Sequence, residues 1–153
     1  MRPITDDTDL KILSILSENA DISYAAIGEK VFVSAGTVHA RVKKMEQAGI
    51  IKKKRIEIDY SKLGYDITAF LGIYLDKSGI YDSVLEQLKE IPEIVNIDYT
   101  TGNYSMFIKI RCKDTQHLRQ VLHDKIQKVQ GIARTETIIS LSEDVKRAIR
   151  LSQ

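Results

Sequence analysis

The sequence predicts an α+β chain of two domains, in which three short helices precede a sheet-forming domain with the element order βαββαβ. Three observations predict this fold class. Up to about residue 48, apolar side chains recur every three or four positions, as on the buried face of a helix. From Ile67 onward, alternating apolar stretches typical of strands take turns with helical stretches. The pattern of apolar residues changes from helical spacing to alternating strands and helices near Ser61, so the predicted domains are residues 1–60 and 61–153.

The first two helices are short. Asp6 and Asp9 favour the start of a helix, because carboxylates are stabilised at the positive end of the helix dipole. The apolar positions of this helix are Leu10, Ile12, Leu13, Ile15 and Leu16. Ser23 is a suitable N-cap for a second helix over residues 24–31, whose apolar positions lie four apart.

A third helix follows Ser34, which is its expected N-cap. Val38, Val42 and Met45 are spaced i, i+4 and i+7, which predicts a buried stripe. Three short helices with a tight turn before the third form a helix-turn-helix unit. Residues 50–59 (IIKKKRIEID) have β-branched residues around a basic centre and predict a wing or linker strand.

The second domain alternates strands and helices. The order βαββαβ specifies a four-stranded antiparallel sheet with two helices on one face, a ferredoxin-like arrangement. Asp114 is the expected N-cap of the second of these helices, and a short tail helix is expected around Val145 and Ile149. The expected strands lie at about residues 67–75, 94–101, 104–112 and 132–141.

One face of this sheet needs a cover besides the helices. The apolar residues that we assign to it are Phe70, Tyr74, Tyr104, Met106 and Ile108. They supply more apolar surface than one helix layer can hide, so the sheet is expected to pack against a second copy of the chain.

Length and composition are those of a folded protein, with 153 residues, 43% of them apolar, and no low-complexity tract. The acidic N-terminus lacks the apolar core of a signal peptide, and no stretch of about 18 apolar residues occurs, so a cytoplasmic location is expected. The single cysteine, Cys112, lies in an apolar run and is expected to be a core residue in a reducing compartment.

Positive charge is concentrated in one segment. Residues Ser34–Ile56 hold seven Lys and Arg residues against one Glu, whereas residues 61–153 hold 13 basic and 12 acidic residues. Such a segment is typical of a surface that faces phosphates, although a charge run alone is usually a solvated face. In a helix-turn-helix, the N-terminal half of the third helix reads base edges while residues around it clamp phosphates. The candidate DNA-contacting residues are Ser34, Gly36, Thr37, His39, Arg41, Lys43, Lys44, Lys53, Lys54 and Arg55.

The expected roles of these residues follow from their chemistry. Gly36 allows close approach, Thr37 and His39 can contact bases, and Arg41 can reach a guanine or a phosphate, while the lysines suit phosphate. A different class of function stays open, because tri-helical units also bind proteins. The chain would then be an effector-binding scaffold that does not bind DNA, and the basic run at Lys52–Arg55 favours DNA over it.

Five stretches carry a family resemblance, and together they span nearly the whole chain. They are residues 32–42 (FVSAGTVHARV), 45–51 (MEQAGII), 63–66 (LGYD), 99–105 (YTTGNYS) and 134–137 (RTET). In order and spacing they resemble the Lrp/AsnC family of regulators, the feast/famine proteins. The resemblance implies a winged helix-turn-helix and a βαββαβ effector and oligomerisation domain, with DNA and an amino acid as partners. It also implies homodimers formed through the sheets, octamers or open helical arrays of dimers, a nucleoid-associated location, and an effector held between dimers.

The resemblance places the effector around Gly102. A residue without a side chain lets backbone amides approach a ligand carboxylate. Thr135 and Thr137 share one strand face, where hydroxyls can bond an amide side chain. Without the resemblance, a plain hairpin turn and a polar strand edge are the simpler interpretation. The candidate effector residues are Thr101, Gly102, Asn103, Tyr104, Ser105, Asp124, Thr135 and Thr137.

Ser105 departs from the pattern of leucine-responsive relatives, which often carry an acidic residue there to engage the ligand's ammonium. Serine offers only a neutral hydrogen bond, so the chain resembles the asparagine-responsive branch. L-asparagine is the expected effector, with a different amino acid as the alternative. Asp98 and Asp124 are candidates for the missing negative charge.

An enzyme is the rival class of function. The chain has no Cys/His pair at metal-ligand spacing, no glycine-rich phosphate loop and no nucleophile paired with a base. We therefore expect no catalytic residue, no metal site and no cofactor.

Overall fold

The structure is a computed structural model that describes residues 5–151, apart from the side chain of Ser78. It forms two compact units. The first contains the described residues up to Glu57 together with those from Val145 onward, and the second spans Ile58–Asp144.

The first unit has three helices, α1 (Asp7–Glu18), α2 (Tyr24–Val31) and α3 (Ala35–Gln47). Each begins at an expected cap, since short polar side chains satisfy backbone N–H groups that the first turn leaves open. Asp6 and Asp9 form a reciprocal capping box at α1. The hydroxyl of Ser23 accepts the N–H of Ala26 in α2, and that of Ser34 accepts the N–H of Thr37 in α3.

The inner stripe of α3 forms the core of this unit, as the spacing predicts. Val38, Val42 and Met45 are all buried, against Ile12 of α1 and Ile27 of α2. The burial of this stripe determines which face of α3 is exposed to solvent.

The predicted strand over residues 50–59 and the predicted tail helix are both wrong. Residues 52–59 and 142–151 form neither helix nor strand. A strand needs a hydrogen-bonding neighbour, and the described part of the first unit contains no other strand. A short helix needs an apolar face to pack, but Val145 and Ile149 remain exposed.

The second unit has the predicted topology. Its elements are β1 (Ile67–Leu75), α4 (Tyr81–Lys89), β2 (Ile94–Tyr99), β3 (Met106–Cys112), α5 (Thr115–Gln120) and β4 (Ile132–Ser140), with short 3-10 turns at Ser61–Leu63 and Ser78–Ile80. The four strands form one sheet in the order β2-β3-β1-β4, with every neighbouring pair antiparallel. A π-helical segment (Val121–Lys125) and a 3-10 turn (Ile126–Lys128) extend α5 toward β4.

One face of the sheet packs against the helices, and two residues that we assigned to the other face belong to it. Met106 and Ile108 are fully buried and pair across the ladder with Ile73 and Leu71, so they share the helix-packed face. Phe107, the residue between them, lies on the opposite face instead. Cys112 ends this buried row, as expected, and burial raises the pKa of its thiol to about 11.

The other face, here called the open face, carries an aromatic cluster. The rings of Phe70 and Phe107 stack with centroids 5.7 Å apart, and those of Tyr74 and Tyr104 meet edge to face at 5.2 Å. Gly72 lies beneath this cluster, because a Cβ at that position would overlap the ring of Tyr104. A glycine inside a strand often marks such a close approach.

Candidate functional site

The outer surface of α3 presents the polar residues that the sequence predicts. Thr37, His39, Lys43 and Lys44 are all exposed, as is Gly36 near the N-terminus of the helix. The hydroxyls of Ser34 and Thr37 lie 2.9 Å apart, so the cap and the first turn form one polar edge. Donors, acceptors and cations are therefore available along one side of a rigid helix, which is what groove recognition requires.

Arg41 differs from its basic neighbours. Its guanidinium donates to Asp6 at 2.7 Å and to Asp9 at 2.8 Å, and Asp9 is 1% exposed. The hydrogen bond that Arg41 donates to Asp9 is the main cause that raises the pKa of Arg41, followed by the one that it donates to Asp6. Arg41 thus ties α3 to the start of α1, which removes it from our set of base or phosphate contacts.

The basic segment after α3 is exposed along its length, and Lys53, Lys54 and Arg55 all lie in it. The ammonium of Lys54 lies 5.9 Å from the ring centroid of Tyr24. The same ring is 5.7 Å from that of His39 on α3. The start of α2, the outer surface of α3 and the basic segment therefore meet at Tyr24, a residue that was not selected from the sequence.

The hairpin loop between β2 and β3 is held at its base and exposed at its tip. The hydroxyl of Thr100 donates to the carbonyl of Tyr104 at 2.7 Å, and the N–H of Ser105 donates to the carbonyl of Ile73 at 2.8 Å. Gly102 has a φ of +102°, which favours glycine. In the part of the chain that the structure describes, the N–H groups of residues 101–103 have no backbone acceptor. They remain available to an anion.

Tyr104 takes part in a network that the sequence did not reveal. Its hydroxyl donates to Glu136 at 2.7 Å, and the hydroxyl of Tyr74 donates to the same carboxylate at 3.1 Å. These bonds, that of Tyr104 first, lower the pKa of Glu136, and the carboxylate in turn raises the pKa of Tyr104. Arg134 closes the network, with its guanidinium 3.0 Å from Glu136 and 4.1 Å from the ring centroid of Tyr74.

The other predicted effector residues are not gathered around this network. Thr135 and Thr137 pair with Ile73 and Leu71, so they lie on the helix-packed side of β4, whereas Glu136 between them lies on the open face. Ser105 and Thr135 flank Ile73 on opposite sides, which separates their backbones by roughly 10 Å at the usual strand spacing.

Asp124 is exposed in the π-helical segment and bonds its neighbour His123 at 2.8 Å, which lowers the pKa of Asp124. One chain therefore places the predicted effector residues at several positions around the sheet. Within the described residues, the hydrogen bond and ion pair of Asp124 go to His123 and not to the hairpin loop.

Similarity to known proteins agrees with this architecture. The winged helix-turn-helix DNA-binding family matches residues 5–52, and the Lrp/AsnC ligand binding domain matches residues 68–149. Regulatory protein AsnC of Haemophilus influenzae is 43% identical over 145 residues, which cover 95% of this chain and 97% of that protein. The chain belongs to the Lrp/AsnC family. The solved structure of Escherichia coli AsnC, 42% identical, superposes with a TM-score of 0.90 over 95% of this chain and 98% of that one.

A more distant solved structure shares the fold alone. A transcriptional regulator from Neisseria meningitidis, solved as a complex with L-Met, superposes with a TM-score of 0.88 at 20% identity, over 94% of each chain.

Membership of the Lrp/AsnC family gives the chain its general role. It is a helix-turn-helix transcriptional regulator with a domain that binds an amino-acid effector, and its relatives are named as regulators rather than enzymes. The α+β fold class that the sequence predicts is confirmed. Among the described residues, no helix is long and apolar enough to cross a membrane.

Three further residues were not among the candidates selected from the sequence, although Arg134 and Glu136 lie in the resembling stretch 134–137. Glu136 and Arg134 bond beside Tyr104 of the loop, and Tyr24 lies close to His39 of α3 and Lys54 of the basic segment. A signal for Glu136 was available, since a residue between two threonines of one strand face must lie on the other face. Tyr24 had no such signal, because its neighbours His39 and Lys54 are distant in sequence.

Proposed function

We propose that the chain is a sequence-specific DNA-binding regulator that responds to L-asparagine held between dimers. The proposal that the chain binds DNA rests on the exposed outer surface of α3. Thr37, His39, Lys43 and Lys44 lie on this surface, and the buried stripe of the helix anchors it in the unit. We propose that Ser34, Gly36, Thr37 and His39 lie at base edges or the nearest phosphates. Lys43, Lys44, Lys53, Lys54 and Arg55 neutralise phosphates.

The test of the phosphate contacts uses a labelled duplex that the wild-type protein has selected from a random-sequence pool. Fluorescence anisotropy is measured across a salt series. Replacing Lys43 and Lys44 together by Ala should weaken binding about tenfold and make the salt slope shallower by about 1.8, because about 0.9 counterions are released per phosphate contact. The replacement of Lys62 and Lys89, exposed lysines of the second unit, is the matched control. Equal binding by both double variants would reject this surface.

The test of base reading uses Thr37→Ala and His39→Ala. These variants should lose preference for the selected duplex over a scrambled one, while the salt slope stays unchanged, since base contacts specify and phosphate contacts position. A lower slope with intact preference would assign both residues to phosphate instead.

The effector part rests on the loop of residues 101–105. Its unpaired N–H groups suit a ligand carboxylate, and the hydroxyls of Thr135 and Thr137 suit an amide side chain. These groups lie roughly 10 Å apart in one chain, with β1 between them. A site between dimers would combine the loop of one chain with residues of another, among them Asp124, and this accounts for the separation.

Dimers would form through the open face of the sheet. Phe70 and Phe107 are half-buried there beside Ile138, which is 51% exposed, so one chain leaves part of this apolar surface uncovered. The functional form is then a dimer or an assembly of dimers, up to an octamer or an open helical array. We propose that this regulator is cytoplasmic and associated with the nucleoid. Light scattering that shows a monomer at micromolar concentration would reject it.

The identity of the effector is tested by calorimetry with L-asparagine, beside L-leucine, L-glutamine and L-lysine in the same buffer. Binding of L-asparagine alone, near one site per chain, is the expected result. Gly102→Ala should weaken it about tenfold, because a side chain is strained at this φ and obstructs the loop amides. Gly79→Ala, with open space around the new methyl, is the matched control. Binding of another amino acid alone would keep the regulator and replace its effector.

A further inference from the structure

Phe32, in the turn of the helix-turn-helix, combines two unfavourable features. Its side chain is 93% exposed, the highest exposure of any aromatic residue among those described. Its backbone adopts φ 60° and ψ 44°, the left-handed region, and it is the one non-glycine residue of the described chain with a positive φ. A large aromatic side chain is strained in this region, where glycine is the usual residue.

The turn imposes this backbone conformation on whichever residue occupies position 32. Val31 and Val33 on either side pack toward the core, and the N–H groups of residues 32 and 33 both donate to the carbonyl of Gly28. The backbones of Gly28 and the turn are also in close contact, because a Cβ on Gly28 would lie 2.5 Å from the carbonyl oxygen of Val33. The phenyl ring therefore projects outward by necessity.

Neither feature helps this chain to fold. The ring buries almost no surface, and glycine would fit the same backbone without strain. Residues held in such conformations cluster at ligand clamps and functional sites. A partner outside the chain is thus needed to explain a phenylalanine here.

The position identifies the partner as DNA. Phe32 precedes Ser34, the N-cap of α3, by two residues, so its Cα lies within about 7 Å of the polar edge described above. Lys30, also exposed, lies two residues before it. A duplex offers apolar atoms at this distance, namely thymine methyl groups and deoxyribose carbons along the edge of the groove.

We infer that Phe32 packs against apolar atoms of duplex DNA beside the N-terminus of α3, and that this contact strengthens binding without neutralising a phosphate. The inference rests on the proposed function and adds to it a contact that is not electrostatic.

Phe32→Gly distinguishes a DNA contact from a role in folding. If Phe32 contacts DNA, the variant should be more stable but bind DNA more weakly, whereas a folding residue would make the variant less stable. The variant should melt about 2–4 °C higher, since the strain is relieved. Its affinity for the selected duplex should fall about tenfold at every salt concentration, with the salt slope of the wild type, because apolar surface is lost and no cation is removed. Phe32→Tyr keeps the ring and should bind within about twofold of the wild type.

Several results would overturn the inference. They are wild-type affinity in Phe32→Gly, a loss as large in Phe32→Tyr, or a lower melting temperature in Phe32→Gly, which would make Phe32 a folding residue. A changed mass of Phe32→Gly in light scattering would assign the ring to a contact between copies instead. The Lys43/Lys44 double variant distinguishes the two proposals, because it loses affinity whenever α3 binds DNA, whatever the role of Phe32.

Discussion

The helix-turn-helix and the 101–105 loop differ in how much of each site a single chain provides. On the first, caps, buried stripe and polar edge all belong to residues close in sequence, and Arg41 adds one tie from α3 to α1. On the second, the loop tip is exposed and the remaining effector residues lie on other parts of the sheet. In our proposal the DNA surface is therefore complete within one chain, whereas the effector site needs another copy.

The largest expected effect comes from Arg41→Ala, which breaks the tie between α1 and α3. It leaves the buried carboxylate of Asp9 without a cation, and we expect the free energy of unfolding to fall by about 3 kcal/mol. Urea denaturation measures it, and Lys43→Ala, at an exposed position, should change it by less than about 0.5 kcal/mol. Similar values for the two variants would mean that this ion pair does not hold the unit together.

Gly28→Ala should disturb the same unit through its turn. The new methyl would meet the carbonyl of Val33, a backbone atom that cannot move alone, and the cost is about 2–3 kcal/mol. Gly36→Ala has ordinary space and serves as the control, because a Cβ there would lie 3.9 Å from the nearest atom. If the helix-turn-helix folds within one chain, the loss of stability in Gly28→Ala should be the same at every protein concentration. A loss that vanishes as dimers form would contradict that.

Gly72→Ala tests the sheet beneath the loop. The methyl would displace the ring of Tyr104 and weaken its bond to Glu136, at a cost of about 1–2 kcal/mol. Because Tyr104 belongs to the loop, affinity for L-asparagine should fall in calorimetry while DNA affinity without ligand stays constant. Parallel losses of both affinities would show that the two sites are not independent.

The smallest effect is a pH dependence at Glu136. Hydrogen bonds from Tyr104 and Tyr74 hold the pKa of Glu136 below its usual value of 4.5, so its contribution to stability is present above that value. The contribution is lost as the pH falls through the lowered pKa. Urea denaturation should therefore show Glu136→Gln less stable than the wild type at pH 6, with a difference that narrows below pH 4.5. A difference independent of pH would mean that the carboxylate charge is not involved.

Local signals in the sequence were sufficient for most of the fold. The caps Ser23 and Ser34, the stripe of Val38, Val42 and Met45, and the βαββαβ order follow from short-range rules that the structure obeys. The phase of β3 was misassigned, although Lys109 and Arg111 alternate with the buried row and indicate the outer face.

Long-range contacts were the part that could not be predicted. Arg41 flanks the buried stripe, and only its ion pair with Asp9, 32 residues away, shows that it faces inward. The hydrogen bond that Glu136 accepts likewise comes from Tyr104, which is 32 residues away in sequence. Residues 52–57 include strand-forming side chains, but the described part of the first unit contains no strand with which they could pair.

The most direct test is calorimetry with L-asparagine on the full chain at several protein concentrations, with light scattering on the same samples. If one chain or one dimer lacks part of the site, affinity should weaken steeply as dilution separates the assembly into dimers, while affinity for the selected duplex falls far less. Full-strength binding of L-asparagine by a species no larger than a dimer, or no binding at any concentration, would contradict the account.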